Sequence, residues 1–187
     1  MSVPTSVQAR AADIKLLLMD CDGVLTDGRI WILEDDEDQK AFHTLDGLGL
    51  ELFHRAGLMT GIISGRASSA VERRARALGV TYIHLGCSDK VDAFQDTLID
   101  ARVSADQVAF VGDDLNDIPL FLRSRLAVAV ANASSETIER AHYVTKATGG
   151  TGAVREVVEL ILKAQNLWSG VIERYLETPD PSGRPTL

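Results

Sequence analysis

The run Leu16-Leu17-Leu18-Met19-Asp20-Cys21-Asp22-Gly23-Val24-Leu25-Thr26 places two carboxylates at the end of four apolar residues. Such an apolar run reads as a fully buried strand. Along extended chain, residues i and i+2 point the same way, so Asp20 and Asp22 face one small volume. Like charges held that close are unfavourable unless a cation or a shared proton relieves them. Oxygen ligands in this pattern suit a hard cation, most simply Mg²⁺. A second strand-like run, Val108-Ala109-Phe110-Val111-Gly112, ends in Asp113-Asp114-Leu115-Asn116-Asp117. One such cluster is an ordinary helix cap, and Asp114 or Asn116 alone could be that. Two of them, both at the C-terminal ends of buried strands, point to a shared metal site.

Ser64-Gly65-Arg66 follows another buried strand, Gly61-Ile62-Ile63, which brings a hydroxyl to the same sheet edge. With helix N-terminal N–H groups, that hydroxyl suits a phosphate oxygen. Lys90 opens a helix, where a cation opposes the macrodipole. Together these groups define a chemistry. A carboxylate attacks phosphorus to form an aspartyl-phosphate. A second carboxylate acts as acid and then as base. A metal and a lysine offset the charge.

The elements that position these groups alternate. Strands are expected over 15–19, 60–64, 81–85, 108–112, 126–130 and, more weakly, 143–146. Helices are expected over 47–56, 67–78, 90–101, 116–123, 134–141 and 153–165. Alternation of this kind gives an α/β fold: three layers, Rossmann-like, a mostly parallel sheet with helices on both faces. Residues 29–33 and 40–44 read as a β-hairpin inserted after the first acidic motif, with an acidic turn at 34–38. A lone hairpin carrying Trp31 and Phe42 needs something to pack on, such as a neighbouring subunit. A single domain is expected over 13–166. Residues 1–12 read as a loose leader and the Pro-rich stretch 178–187 as a disordered tail.

Bulk properties narrow the function. The chain has 187 residues, a net charge of −8 and 45% hydrophobic content. The negative field argues against nucleic-acid and anionic-membrane partners. Cys21 and Cys87 give no disulfide framework, and no segment resembles a signal peptide, so the cytoplasm is the expected compartment.

Asp20-Cys21-Asp22-Gly23-Val24-Leu25-Thr26, Ser64-Gly65-Arg66, Lys90 and Gly112-Asp113-Asp114 with Asp117 match in order the four motifs of the haloacid dehalogenase superfamily of phosphatases. The chain resembles its minimal-cap branch, over roughly residues 14–165. Further stretches, Lys40-Ala41-Phe42, Asp46-Gly47 and Gly149-Gly150 with Gly152-Ala153-Val154-Arg155-Glu156, resemble phosphatases of phosphorylated sugar acids. The resemblance implies Asp20 as nucleophile and metal ligand. It implies Asp22 as acid/base, lending its backbone carbonyl to Mg²⁺, and Asp113 as the third protein ligand. Ser64 and Lys90 would hold the phosphate. Arg66, Arg74 and the loop His43, Thr44, Asp46 and Gly47 would contact the substrate. Asp117 would orient Lys90 or the metal's water shell, with Asp114 and Asn116 in support. The resemblance also implies a homotetramer, in which a neighbouring subunit, or 149–152 with the tail, covers the site.

In that family an arginine commonly precedes the Asp-Gly pair and another follows four residues after the Gly. Here those positions hold Leu45 and Glu51. An N-acylneuraminate 9-phosphate or another sugar phosphate is the alternative substrate. The non-enzyme alternative is a phosphorelay receiver domain. A receiver carries its phosphorylated Asp at the end of its third strand, where this chain has Leu85-Gly86.

Overall fold

The computed structural model describes residues 3–32 and 38–177. Numbered along the chain, the strands are β1 (Leu16–Met19), β2 (Trp31–Ile32), β3 (Asp38–Gln39), β4 (Met59–Ser64), β5 (Tyr82–Leu85), β6 (Val108–Gly112), β7 (Leu126–Ala129) and β8 (Tyr143–Val144). The helices are α1 (Thr5–Ala11), α2 (Thr44–Arg55), α3 (Ser69–Ala77), α4 (Lys90–Ala101), α5 (Ile118–Phe121), α6 (Ser135–Ile138), α7 (Ala153–Ala164) and α8 (Trp168–Leu176). Six strands form one parallel sheet in the order β5-β4-β1-β6-β7-β8. β2 and β3 pair antiparallel as a separate ribbon.

β1 runs through the middle and all four of its side chains are buried. Alternate residues serve opposite faces, as a period of two requires. Leu17 and Met19 join Phe53, Val157 and Ile161 on one side. Leu16 and Leu18 join Phe94, Phe110 and Phe121 on the other. Each fully buried aliphatic side chain is worth about 1.5–3 kcal/mol, against about 0.5–1.5 kcal/mol for a typical hydrogen bond. Core burial is therefore what fixes the start of the loop that follows Met19.

The structure departs from the sequence reading in several places. Residues 5–11, expected to be loose, form α1, and Val7 and Ala11 are buried in the main core. The second ribbon strand is Asp38–Gln39 and not 40–44. His43 Nδ1 accepts from Leu45 N at 3.2 Å and caps α2, which draws Thr44 into helix. Most of the acidic turn at 34–38 lies outside the described residues, as does the expected tail at 178–187. The helix expected at 116–123 is a 3₁₀ turn, Leu115–Asp117, followed by the short α5. α8 was not expected and has no fully buried residue. It docks through Trp168, whose ring lies under Arg155 and Lys163 at 5.5 and 5.1 Å.

Candidate active site

The central strands deliver the site in register. Met19 pairs with Ile62 of β4 and with Val111 of β6, so Asp20, Ser64 and Asp113 emerge together at the C-terminal edge. Asp20 N continues the ladder by donating to Val111 O at 3.0 Å. Asp20, Asp113 and Asp117 each place a carboxylate oxygen within 4.8 Å of the others. Gly23, at φ +90°, is required by this convergence. A Cβ there would lie 2.1 Å from Asp113 Oδ2. Gly112 is required for the same reason, since its Cβ would meet Asp117 Oδ2 at 2.5 Å. Thr26 fastens the loop from inside: its hydroxyl accepts from Gly23 N and Gly28 N and donates to Cys21 O.

Lys90 is the counter-cation. It is buried, with Nζ 2.7 Å from Asp117 Oδ1 and 3.1 Å from Asp20 Oδ1. Burial alone would lower its pKa, but the attraction of Asp117 and Asp20 outweighs that and raises it. The contact with Asp20 has ion-pair distance without hydrogen-bond alignment, so the buried Oδ1 of Asp20 has no donor. Burial, then repulsion from Asp117, pushes Asp20 up to about 6 despite Lys90. Burial, then repulsion from Asp117 and Asp20, pushes Asp113 up to about 7. An under-satisfied buried oxygen beside two more carboxylates fits a hard divalent cation, with Asp20 and Asp113 as its side-chain ligands. Asp117 is occupied otherwise. Its Oδ1 takes Lys90, and its Oδ2 accepts from Asp113 N at 2.9 Å.

Asp22 turns its carboxylate away from that cluster. Lys40 Nζ donates to its Oδ1, and Arg66 Nε lies 3.7 Å from its Oδ2. In the sequence Lys40 stands out only within the Lys40-Ala41-Phe42 resemblance. Yet its side chain is 0% exposed. One signal could have singled it out: it is the sole lysine or arginine between Arg29 and Arg55.

The other expected residues divide. Ser64 is buried at the end of β4 and accepts from Arg66 N at 3.4 Å, while Ser68 caps α3. Asp114 caps the 3₁₀ turn by accepting from Leu115 N at 2.8 Å, and Asn116 is exposed. Arg74 packs on Gly47, lining one small cavity with His43 and Asp46. Thr44 is exposed at the start of α2. Asp46, which lines the same cavity, is buried against the start of α7. It accepts from Gly152 N at 3.2 Å and Arg155 N at 2.8 Å. Residues 149–152 thus form a strap. Gly149 N donates to Asn132 Oδ1, and Gly150 N to Val24 O in the loop that follows β1.

Paired acidic loops, a strand-end serine and a buried lysine gather at one edge of a parallel sheet, the arrangement of a metal-dependent hydrolase. Residues 83–157 match the family described as haloacid dehalogenase-like hydrolase. A 3-deoxy-D-manno-octulosonate 8-phosphate phosphatase of Yersinia pestis is 43% identical over 168 residues, 90% of each chain. Its counterpart in Escherichia coli BL21-DE3 is 44% identical, over 87% of each chain. The solved structure of such a phosphatase from Moraxella catarrhalis, in complex with magnesium, phosphate and the sugar acid, superposes with a TM-score of 0.90. It is 38% identical and covers 92% of this chain and 99% of that one. The chain belongs to the 3-deoxy-D-manno-octulosonate 8-phosphate phosphatase family, a group of phosphoric monoester hydrolases.

Proposed function

We propose that this enzyme hydrolyses 3-deoxy-D-manno-octulosonate 8-phosphate, in lipopolysaccharide biosynthesis, through an aspartyl-phosphate on Asp20. The observation that carries the chemistry is the buried Asp20 oxygen without a donor, facing Lys90 and Asp113. Asp20 attacks phosphorus and the sugar alkoxide leaves. Asp22, on the loop just beyond, gives that oxygen a proton and then takes one from the water that cleaves the acyl-phosphate. Ser64 and Lys90 hold the phosphoryl oxygens, and Asp117 keeps Lys90 in place. Asp20, Asp113 and the Asp22 carbonyl would hold Mg²⁺, which would supply charge that offsets the phosphoryl group.

Leu45 and Glu51 favour keeping a second substrate in view. Leu45 is exposed near the start of α2, and Glu51 faces Arg55 at 3.8 Å. Neither offers a cation to a sugar carboxylate. Phosphate release should be measured on the eight-carbon sugar-acid phosphate, N-acylneuraminate 9-phosphate and neutral sugar phosphates, with Mg²⁺ and with EDTA. Preference for the first, abolished by EDTA, is expected. Preference for a neutral sugar phosphate overturns the substrate, and activity in EDTA overturns the metal.

The assembly is a homotetramer, supported by the exposed ribbon residues Trp31 and Ile30. The cytoplasm suits Cys21 and Cys87, which are not joined in a disulfide, and no helix among the described residues is long and apolar enough to cross a membrane.

A further inference from the structure

We infer that Lys40, delivered by the ribbon, is the positioning residue that holds the Asp22 carboxylate in place for proton transfer. This rests on the reading of Asp22 as acid/base.

Burying an ammonium is strongly unfavourable unless it is paired. Lys40's side chain is 0% exposed, and among the described residues it meets the Asp22 carboxylate, 18% exposed. Arg66, the other cation at Asp22, is 52% exposed and stands off at 3.7 Å. A half-solvated pair at that distance fixes little. The backbone on both sides of Lys40 is also held. Gln39 pairs with Trp31 just before it, and His43 caps α2 just after it. The ammonium is therefore placed by two elements. Asp22 itself lies on the turn after β1, and its carboxylate receives no backbone N–H among the described contacts. Its orientation depends on what the ribbon brings. A surface lysine that merely ends a strand would be solvated, and this one is not.

The test compares kcat/KM on the preferred sugar phosphate and on p-nitrophenyl phosphate. It uses wild type, Asp22→Asn, Lys40→Met, Lys40→Arg and the double variant Asp22→Asn/Lys40→Met. An alkoxide needs a proton to leave and p-nitrophenolate hardly does. Lys40→Met should cost about 10–100-fold on the sugar phosphate and under about threefold on p-nitrophenyl phosphate, a share of the 10²–10⁴-fold that general-acid help is worth. Lys40→Arg should recover part of the loss. The double variant should be no slower than Asp22→Asn alone, because Lys40 acts through Asp22. Equal loss on both substrates, additive losses, or an unchanged Lys40→Met each overturn the proposal. If Asp22→Asn slows both substrates equally, the acid role falls and the proposal with it, a failure visible without any Lys40 variant. Should Lys40→Met melt before assay, Lys40→Gln against Lys40→Arg gives the same comparison.

Discussion

Two regions supply charge to this site, and they are built differently. The strand-end cluster takes Asp20, Asp113, Asp117 and Lys90 from β1, β6 and α4, and its side chains are fastened within or just beside the core. The ribbon takes Lys40 from two strands of two residues each, with Trp31 64% exposed beside it. The first region owes its geometry to a sheet that would exist without any chemistry. The second has little reason to exist in an isolated subunit except for what it covers or touches. A core-built group is fixed within one chain, whereas a ribbon-built group depends on what the ribbon rests against.

The contrast between the two regions holds only with the strand-end cluster as the reactive centre. Asp20→Asn should lower turnover by on the order of 10⁴–10⁶-fold, the range for groups that act as a unit, with folding unchanged by circular dichroism. Near-normal phosphate release would remove the nucleophile from the mechanism. The ribbon is probed by Trp31→Asp. Smaller species by light scattering and lower activity on the sugar phosphate are expected. The subunit's own stability should move little, since exposed substitutions stay within about ±0.5 kcal/mol. A wild type that is already a fully active monomer would refute assembly through the ribbon.

A smaller effect separates holding the scaffold from touching the substrate. Asp46→Ala leaves two N–H groups at the start of α7 without their acceptor. The cost should be about 1–3 kcal/mol, read as a Tm lower by about 2–4 °C per kcal/mol for a chain of this size. A raised KM at unchanged Tm would place the role of Asp46 at the substrate and not in the scaffold.

The smallest effect is a pH dependence. Asp20 and Asp113 are raised from 3.8 to about 6 and about 7. Between about pH 4 and 7 the metal-free fold therefore binds protons that the unfolded chain has released. Stability from these two groups is present at low pH and is lost as pH rises through that window. Mg²⁺ competes with the same protons, so its addition should raise Tm more at pH 8 than at pH 5. Asp113→Asn should shrink that difference. Equal Mg²⁺ increments at the two pH values would show that these carboxylates do not bind the metal.

Most of the sheet was legible in the sequence because its signals are periodic. Leu16–Met19 and Val108–Gly112 are unbroken apolar runs, and the acids follow them directly. What escaped was decided by contacts far apart in sequence. Asp46 and Arg155 lie 109 positions apart, so local pattern could not show that one caps the other's helix. α1 is short and has no side-chain cap hydrogen bond, and its order comes from Val7 and Ala11 entering a core assembled elsewhere. Lys40 was readable as a charge but not as a buried one, since burial is a property of the fold.

The central place of β1 has a consequence for synthesis. It is the first sheet strand to leave the ribosome, yet both its neighbours are made later. β4 follows within about 45 residues, but β6 arrives only after roughly 50 more, which at about 5–20 residues per second is a delay of several seconds. Until Val108–Gly112 emerges, one edge of Leu16–Met19 stands open and apolar, the kind of edge that recruits other chains. Nascent chains stalled before residue 108 should therefore depend on chaperones far more than chains released after residue 130, by when β6 and β7 are both available.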